Sequence, residues 1–94
     1  MEIRSGEDQR VKIPEHVGFT IVSGEAVILD MKRGLYFGLD EIGTAIWQRI
    51  AAGDHPADIV SALEREYDVD PRQLHDDVRA WLGRAREAGL IEQA

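Results

Sequence analysis

The run Ala26 to Trp47, AVILDMKRGLYFGLDEIGTAIW, passes from strand to turn to strand to helix with no linker, and the rest of the chain must be arranged around it. Two apolar stretches flank Lys32-Arg33-Gly34. Asp40 then opens a helix on which Ile42, Ile46, Trp47 and Ile50 recur at helical spacing, its carboxylate able to accept from the free amides of the first turn.

Upstream, Val17, Phe19 and Ile21 alternate with Gly18, Thr20 and Val22 as a half-buried strand requires, and Ser23-Gly24-Glu25 reverses the chain. The second strand, Ala26 to Met31, has Val27, Leu29 and Met31 on one side and Ala26, Ile28 and Asp30 on the other. With Lys32-Arg33-Gly34 as a three-residue loop, Met31 faces Leu35, Leu29 faces Phe37 and Val27 faces Leu39. That register keeps Asp30 outside beside Tyr36, and a slip of one residue would push it into the core. The expectation is a three-stranded antiparallel meander in chain order, with the third strand, Leu35 to Leu39, left at an edge.

The first helix ends near Gly53. Asp54-His55-Pro56 restarts the chain with proline at a first helical turn, and Ile59, Val60, Leu63 and Tyr67 form the apolar stripe of a second helix. Asp70 and Pro71 open a third, whose stripe is Leu74, Val78, Trp81, Leu82, Ala85 and Ala88, and Gly89 stops it. Leu90 and Ile91 fold back as a last apolar clasp. Strands followed by helices make an α+β fold, with three helices packed on one face of the sheet and a winged helix-turn-helix topology compatible with that order. Residues 1–10 read as a flexible polar tail and 11–94 as the domain.

With 94 residues there is room for one small core and no deep cofactor cavity beside it. The net charge of -7, with no run of Lys and Arg, opposes nucleic acid. No cysteine is present, so there are no disulfides or thiolate metal ligands. The charged start MEIRSGEDQR lacks a signal-peptide apolar segment, and no apolar run approaches the ~20 residues that cross a bilayer. A soluble, cytoplasmic protein is expected.

Catalytic chemistry finds little support. Ser5, Ser23 and Ser61 occur in no nucleophile motif. His75, Asp76 and Asp77 are adjacent helical positions that point in different directions, so they do not converge on one ion. Asp40 and Glu41 are explained by a helix start, and the glycines form no phosphate-cradling loop. No catalytic residue, metal or cofactor is expected.

A different chemistry remains, because an edge strand carries unpaired N–H and C=O groups on which an extended peptide can be added, with side-chain pockets supplying selectivity. Backbone groups of Leu35, Tyr36, Phe37 and Gly38 are the candidates for that pairing. Met31, Leu35 and Phe37 on the sheet, with Val78, Trp81, Leu82 and Ala85 on the last helix, are the candidate apolar contacts. Core packing explains the same stripe, since periodicity marks burial and does not say against what. Lys32, Arg33, Arg79 and Arg84 are candidate electrostatic contacts.

The run VILDMKRGLYFGLDEIGTAIW, then ADIVSALEREYDVD and DVRAWLGRAREAGLI, resembles the PqqD-like family of peptide-recognition domains, and most of all its small stand-alone members in lasso peptide biosynthesis. The likeness runs from about Val11 to Ile91 and lies in the order and spacing of Leu29-Asp30, Gly34, Phe37, Leu39, Ile42-Gly43, Ile46-Trp47, Tyr67-Asp68-Val69 and Asp77-Val78. Asp40 stands where the family often has Asn. The resemblance implies a winged helix-turn-helix-like domain without activity of its own. Such a domain binds the leader of a ribosomally made precursor as an added strand beside the third strand, against the last helix. It presents the leader to a separate cysteine-protease-type leader peptidase and a cyclase. Two alternatives stand beside this: a PqqD-type peptide carrier for a radical SAM enzyme in quinone cofactor synthesis, and a small winged-helix DNA-binding regulator, which Asp76 and Asp77 on the last helix oppose.

Overall fold

The structure, a computed structural model, describes residues 10–94; of the expected tail, residues 1–10, only Arg10 lies within them, its carbonyl accepting from the Ala94 amide at 3.0 Å. A meander of three antiparallel strands, β2 (Val17–Val22), β3 (Glu25–Asp30) and β4 (Leu35–Gly38), is followed by α1 (Glu41–Ala51), α2 (Pro56–Glu66) and α3 (Pro71–Glu87). This is the expected α+β order. Two short strands frame it: β1 (Val11–Lys12) pairs with β5 (Glu92–Gln93), so the start and the end of the described chain lie side by side.

Local chemistry explains most boundaries. Ser23 and Gly24 both take positive φ, 52° and 83°, as the tight β2–β3 hairpin demands. Asp40 Oδ1 accepts from the Gly43 amide at 2.8 Å and starts α1. Asp70 does the same for α3 through the Arg72 amide at 3.0 Å, with Pro71 in its first turn. Gly89, at φ +77°, closes α3, and the chain beyond turns back so that Leu90 and Ile91 are buried.

The core joins one face of the sheet to the helices. Ala26 and Ile28 of β3 meet Ile46, Trp47 and Ile50 of α1, behind which lie Ile59 and Leu63 of α2 and Leu74, Val78 and Leu82 of α3. The buried Thr44 hydroxyl accepts from the Ala26 amide at 2.8 Å, tying α1 to β3. Trp47 is fully buried between Phe19 and Trp81, edge-to-face with both, at ring-centroid distances of 5.6 and 6.4 Å.

The expected β3–β4 register is corrected by one residue. Asp30 pairs with Leu35, Ile28 with Phe37 and Val27 with Gly38, and the loop is Met31 to Gly34 rather than three residues. Ala26, Ile28 and Asp30 therefore face the core, Val27 and Leu29 are only half-buried on the other side, and Met31 is exposed in the turn. Ala26 through Leu29 is apolar on both faces, so the choice rested on Asp30, and a carboxylate was expected to stay in water. Asp30 is instead 1% exposed, and the turn itself satisfies it. Its Oδ1 accepts from the Lys32 and Arg33 amides at 3.0 and 3.1 Å, and its Oδ2 from Arg33 Nε at 2.7 Å. Burying a charge is tolerable when it is paired and hydrogen-bonded in this way.

A candidate peptide groove

Backbone hydrogen bonds show which groups of the sheet remain free. The Leu39 amide donates to the Ala26 carbonyl at 2.9 Å and the Gly34 amide to the Asp30 carbonyl at 2.8 Å, whereas the Met31 amide donates to the His16 carbonyl at 2.8 Å. Donor and acceptor directions alternate along a strand, so Ala26, Ile28 and Asp30 serve β4 while Val27, Leu29 and Met31 serve β2. On β4, Leu35 and Phe37 are consequently spent on β3. Tyr36 and Gly38 direct their N–H and C=O groups outward from the edge. On the opposite border, Phe19 and Ile21 of β2 do the same, while the Val17 amide donates to the Pro14 carbonyl at 3.0 Å.

Beside the open edge of β4 runs a groove of about 450 Å³, walled by Phe37, Gly38, Leu39 and Asp40 on one side and by Trp81, Arg84, Ala85, Ala88 and Leu90 on the other. Trp81 is half-buried and floors it next to α1. A Cβ at Gly43 would come within 3.1 Å of both Trp81 Nε1 and Asp40 Oδ1, so glycine is what lets the first turn of α1 close on the groove floor. Of the residues expected at the site, Phe37, Gly38, Trp81, Arg84 and Ala85 line this groove. Val78 and Leu82 point into the core at 1% and 3% exposure. Leu35, Tyr36 and Met31 are exposed outside it, Leu35 on the core side of the edge and Tyr36 on the opposite face of the sheet. Arg79 is exposed on α3 and does not line it.

Leu39, Asp40, Ala88 and Leu90 were not singled out as site residues. Ala88 follows Trp81 and Ala85 at helical spacing and was readable from the stripe. The other three were absorbed by the strand end, the cap and the terminal clasp, and only the tertiary arrangement turns them toward one space.

At the hairpin end, Lys32 and Arg33 border a second hollow of about 510 Å³ together with Arg86, Asp30, Glu87 and Ala88. Arg33 spans the gap: besides its pair with Asp30, its Nη2 donates to the carbonyl of Ala88, the C-cap of α3. The Arg33 hydrogen bond, against the opposing effect of burial, holds the Asp30 carboxyl below the usual carboxylate range. A lowered folded-state value means that this stabilisation is complete above the ordinary Asp value of about 4 and is lost as pH falls through the folded value. Thermal melts of the parent and Asp30→Asn across pH 2 to 7 should therefore converge in acid and separate toward neutrality.

Residues 25–91 match the family model described as coenzyme PQQ synthesis protein D (PqqD). The chain belongs to the PqqD family. Among solved structures, this PqqD-family chain is similar to TbiB1 in complex with the TbiA(beta) leader peptide, with 36% identity over 86% of this chain and 94% of that one and a TM-score of 0.83. It is also similar to lasso peptide synthetase B1 complexed with the leader peptide, at 25% identity, covering 88% and 98% of the two chains with a TM-score of 0.81. No curated protein matches. Among the described residues of this PqqD-family chain, no helix is long and apolar enough to cross a membrane, and no cluster of His, Asp and Glu could hold a metal ion.

Proposed function

We propose that the chain is a non-catalytic adaptor that binds the leader of a ribosomally made precursor peptide, as in lasso peptide biosynthesis. The leader adds as a strand beside β4, pairing with Tyr36 and Gly38, and places alternate apolar side chains in the groove against Trp81, Ala85 and Ala88. Arg84 on the groove wall, with Lys32 in the neighbouring hollow at the hairpin end, favours a leader with acidic residues, which acts chiefly on association rate and salt dependence. The 11–94 domain then presents the captured leader to a separate leader peptidase of the cysteine-protease type and to a cyclase. No metal or cofactor takes part.

The observation that carries this reading is the coincidence of free backbone groups on β4 with an apolar groove directly alongside. The two similar structures, both leader complexes, support it. The family description keeps a second reading in view: the same edge and groove serving as a peptide carrier for a radical SAM enzyme in quinone cofactor synthesis. Titration of the isotopically labelled protein with the leader encoded beside its gene tests the first. Amide signals of Tyr36 and Gly38 and the Trp81 indole N–H should move most, with Val78 and Leu82 little affected. Shifts confined to β2 or to α2 would reject the strand-addition model, and binding only of a quinone-cofactor precursor would favour the second reading.

A further inference from the structure

We infer that Arg33 is a positioning residue for peptide capture: it braces the β3–β4 hairpin against the C-terminal end of α3 and so sets the width of the groove before any peptide arrives. This rests on the proposed leader binding and adds what holds the site ready for it.

The two walls of the groove share the core through Phe37, Leu39, Trp81 and Ala88, whereas the hairpin tip, Met31 to Gly34, is exposed beyond it. β3 is tied to α1 through Thr44 and the Ile28 cluster, and α3 packs on α2. Phe37 of β4 packs on that core, while the outer edge of the strand faces α3 across open space. Something must fix the distance between the hairpin and the helix end. The last carbonyls of a helix have no intrahelical donor, and Ala88 offers one of them. Arg33 Nη2 takes it, while Nε of the same guanidinium is held by the buried Asp30. Ala88 itself lines the groove, so the brace ends on its wall. Gly89 adjoins it, and a Cβ there would lie in ordinary contact, 3.5 Å from Arg33 Nη2. The rigid fork of a guanidinium can join a carboxylate to a carbonyl at a set spacing, which a flexible ammonium cannot. Asp30 is thus buried for a reason beyond the turn, because it anchors the arm that reaches α3.

The effect belongs to preorganisation. Without the brace the walls fluctuate, and the peptide must bear the ordering cost on binding. Spin labels at Tyr36→Cys and Arg84→Cys, in a chain with no other cysteine, read the groove width without any peptide. The distance distribution should be narrow in the parent and broader with Arg33→Leu; an unchanged distribution overturns the proposal. Calorimetric titration should then show leader affinity reduced about tenfold in Arg33→Leu with the melting transition still cooperative. Arg33→Lys should stay weakened. Restoring the span covalently, with Arg33→Cys and Glu87→Cys, which border the same hollow outside the groove, joined by a short bis-maleimide, should recover parental affinity although the guanidinium is gone. Broadening without loss of affinity, or a cross-linked form that stays weak, would mean that Arg33 does not act by positioning. A parent protein that binds no leader would sink the proposed function, while the label distances would still decide whether the brace exists.

Discussion

Replacing Tyr36 with proline is expected to weaken leader binding about tenfold or more while leaving the domain folded, whereas proline at Phe37 is expected to disrupt the sheet itself. The difference of one position follows from the backbone directions on β4. Tyr36 sends its N–H outward, where proline is tolerated on an edge strand because no ladder bond is lost within the protein. What disappears is the donor offered to the guest. One such bond is worth about 0.5–1.5 kcal/mol net, and the bulky ring now stands where the guest strand must lie, so a tenfold loss, about 1.4 kcal/mol, is a low bound. The Phe37 N–H serves Ile28 of β3, so proline there removes an internal ladder bond as well as the aromatic wall of the groove. Titration calorimetry with the leader, paired with far-ultraviolet circular dichroism, separates the two. If Tyr36→Pro binds as tightly as the parent, the guest does not add to this edge.

The second large effect concerns the scaffold. Trp47→Ala should destabilise the domain by about 3 to 5 kcal/mol, the range for truncating a fully buried tryptophan. Small domains are stable by only about 5–15 kcal/mol in total, so the variant should sit near the edge of unfolding at room temperature. The cost reaches the groove, because Trp47 supports Trp81 from behind in the aromatic series that begins at Phe19. Trp47→Phe should be much milder. It keeps an aromatic ring between the two neighbours and removes the indole N–H, a buried donor with no hydrogen-bond partner among the described residues. Denaturant midpoints for the two variants provide the check. An alanine variant within 1 kcal/mol of the parent would contradict this account of the core.

Much of this architecture is legible in the sequence because its boundaries are written in local chemistry. Asp40, Asp70, Pro56, Pro71 and Gly89 punctuate the helices where the structure does, and the strand order follows from short hairpins. The facing of β3 was not legible, since Ala26, Val27, Ile28 and Leu29 suit either side and the deciding residue is a carboxylate whose partners come from the turn after it. The β1–β5 pairing was missed for another reason: two residues meeting two residues across the length of the chain leave no periodic trace. In the groove, Trp81 and Ala85 were marked by the helical stripe, yet so were Val78 and Leu82, which turned out to be core. A stripe states that side chains leave water, and the assembled neighbours decide which of them meet a guest.

The far margin of the sheet has a consequence of its own. β2 offers six residues, Val17 to Val22, without one charged side chain, and Phe19, Ile21 and Val22 remain 42%, 41% and 54% exposed. Edge strands of this kind normally carry lysine, proline or a bulge to turn away stray chains, and this one carries none of them. Among the described residues the sheet therefore has two adhesive rims, one backed by a trough and one left open at Phe19 and Ile21. The net charge of -7 opposes the approach of copies at the second rim, so colloidal behaviour should worsen as salt screens that repulsion.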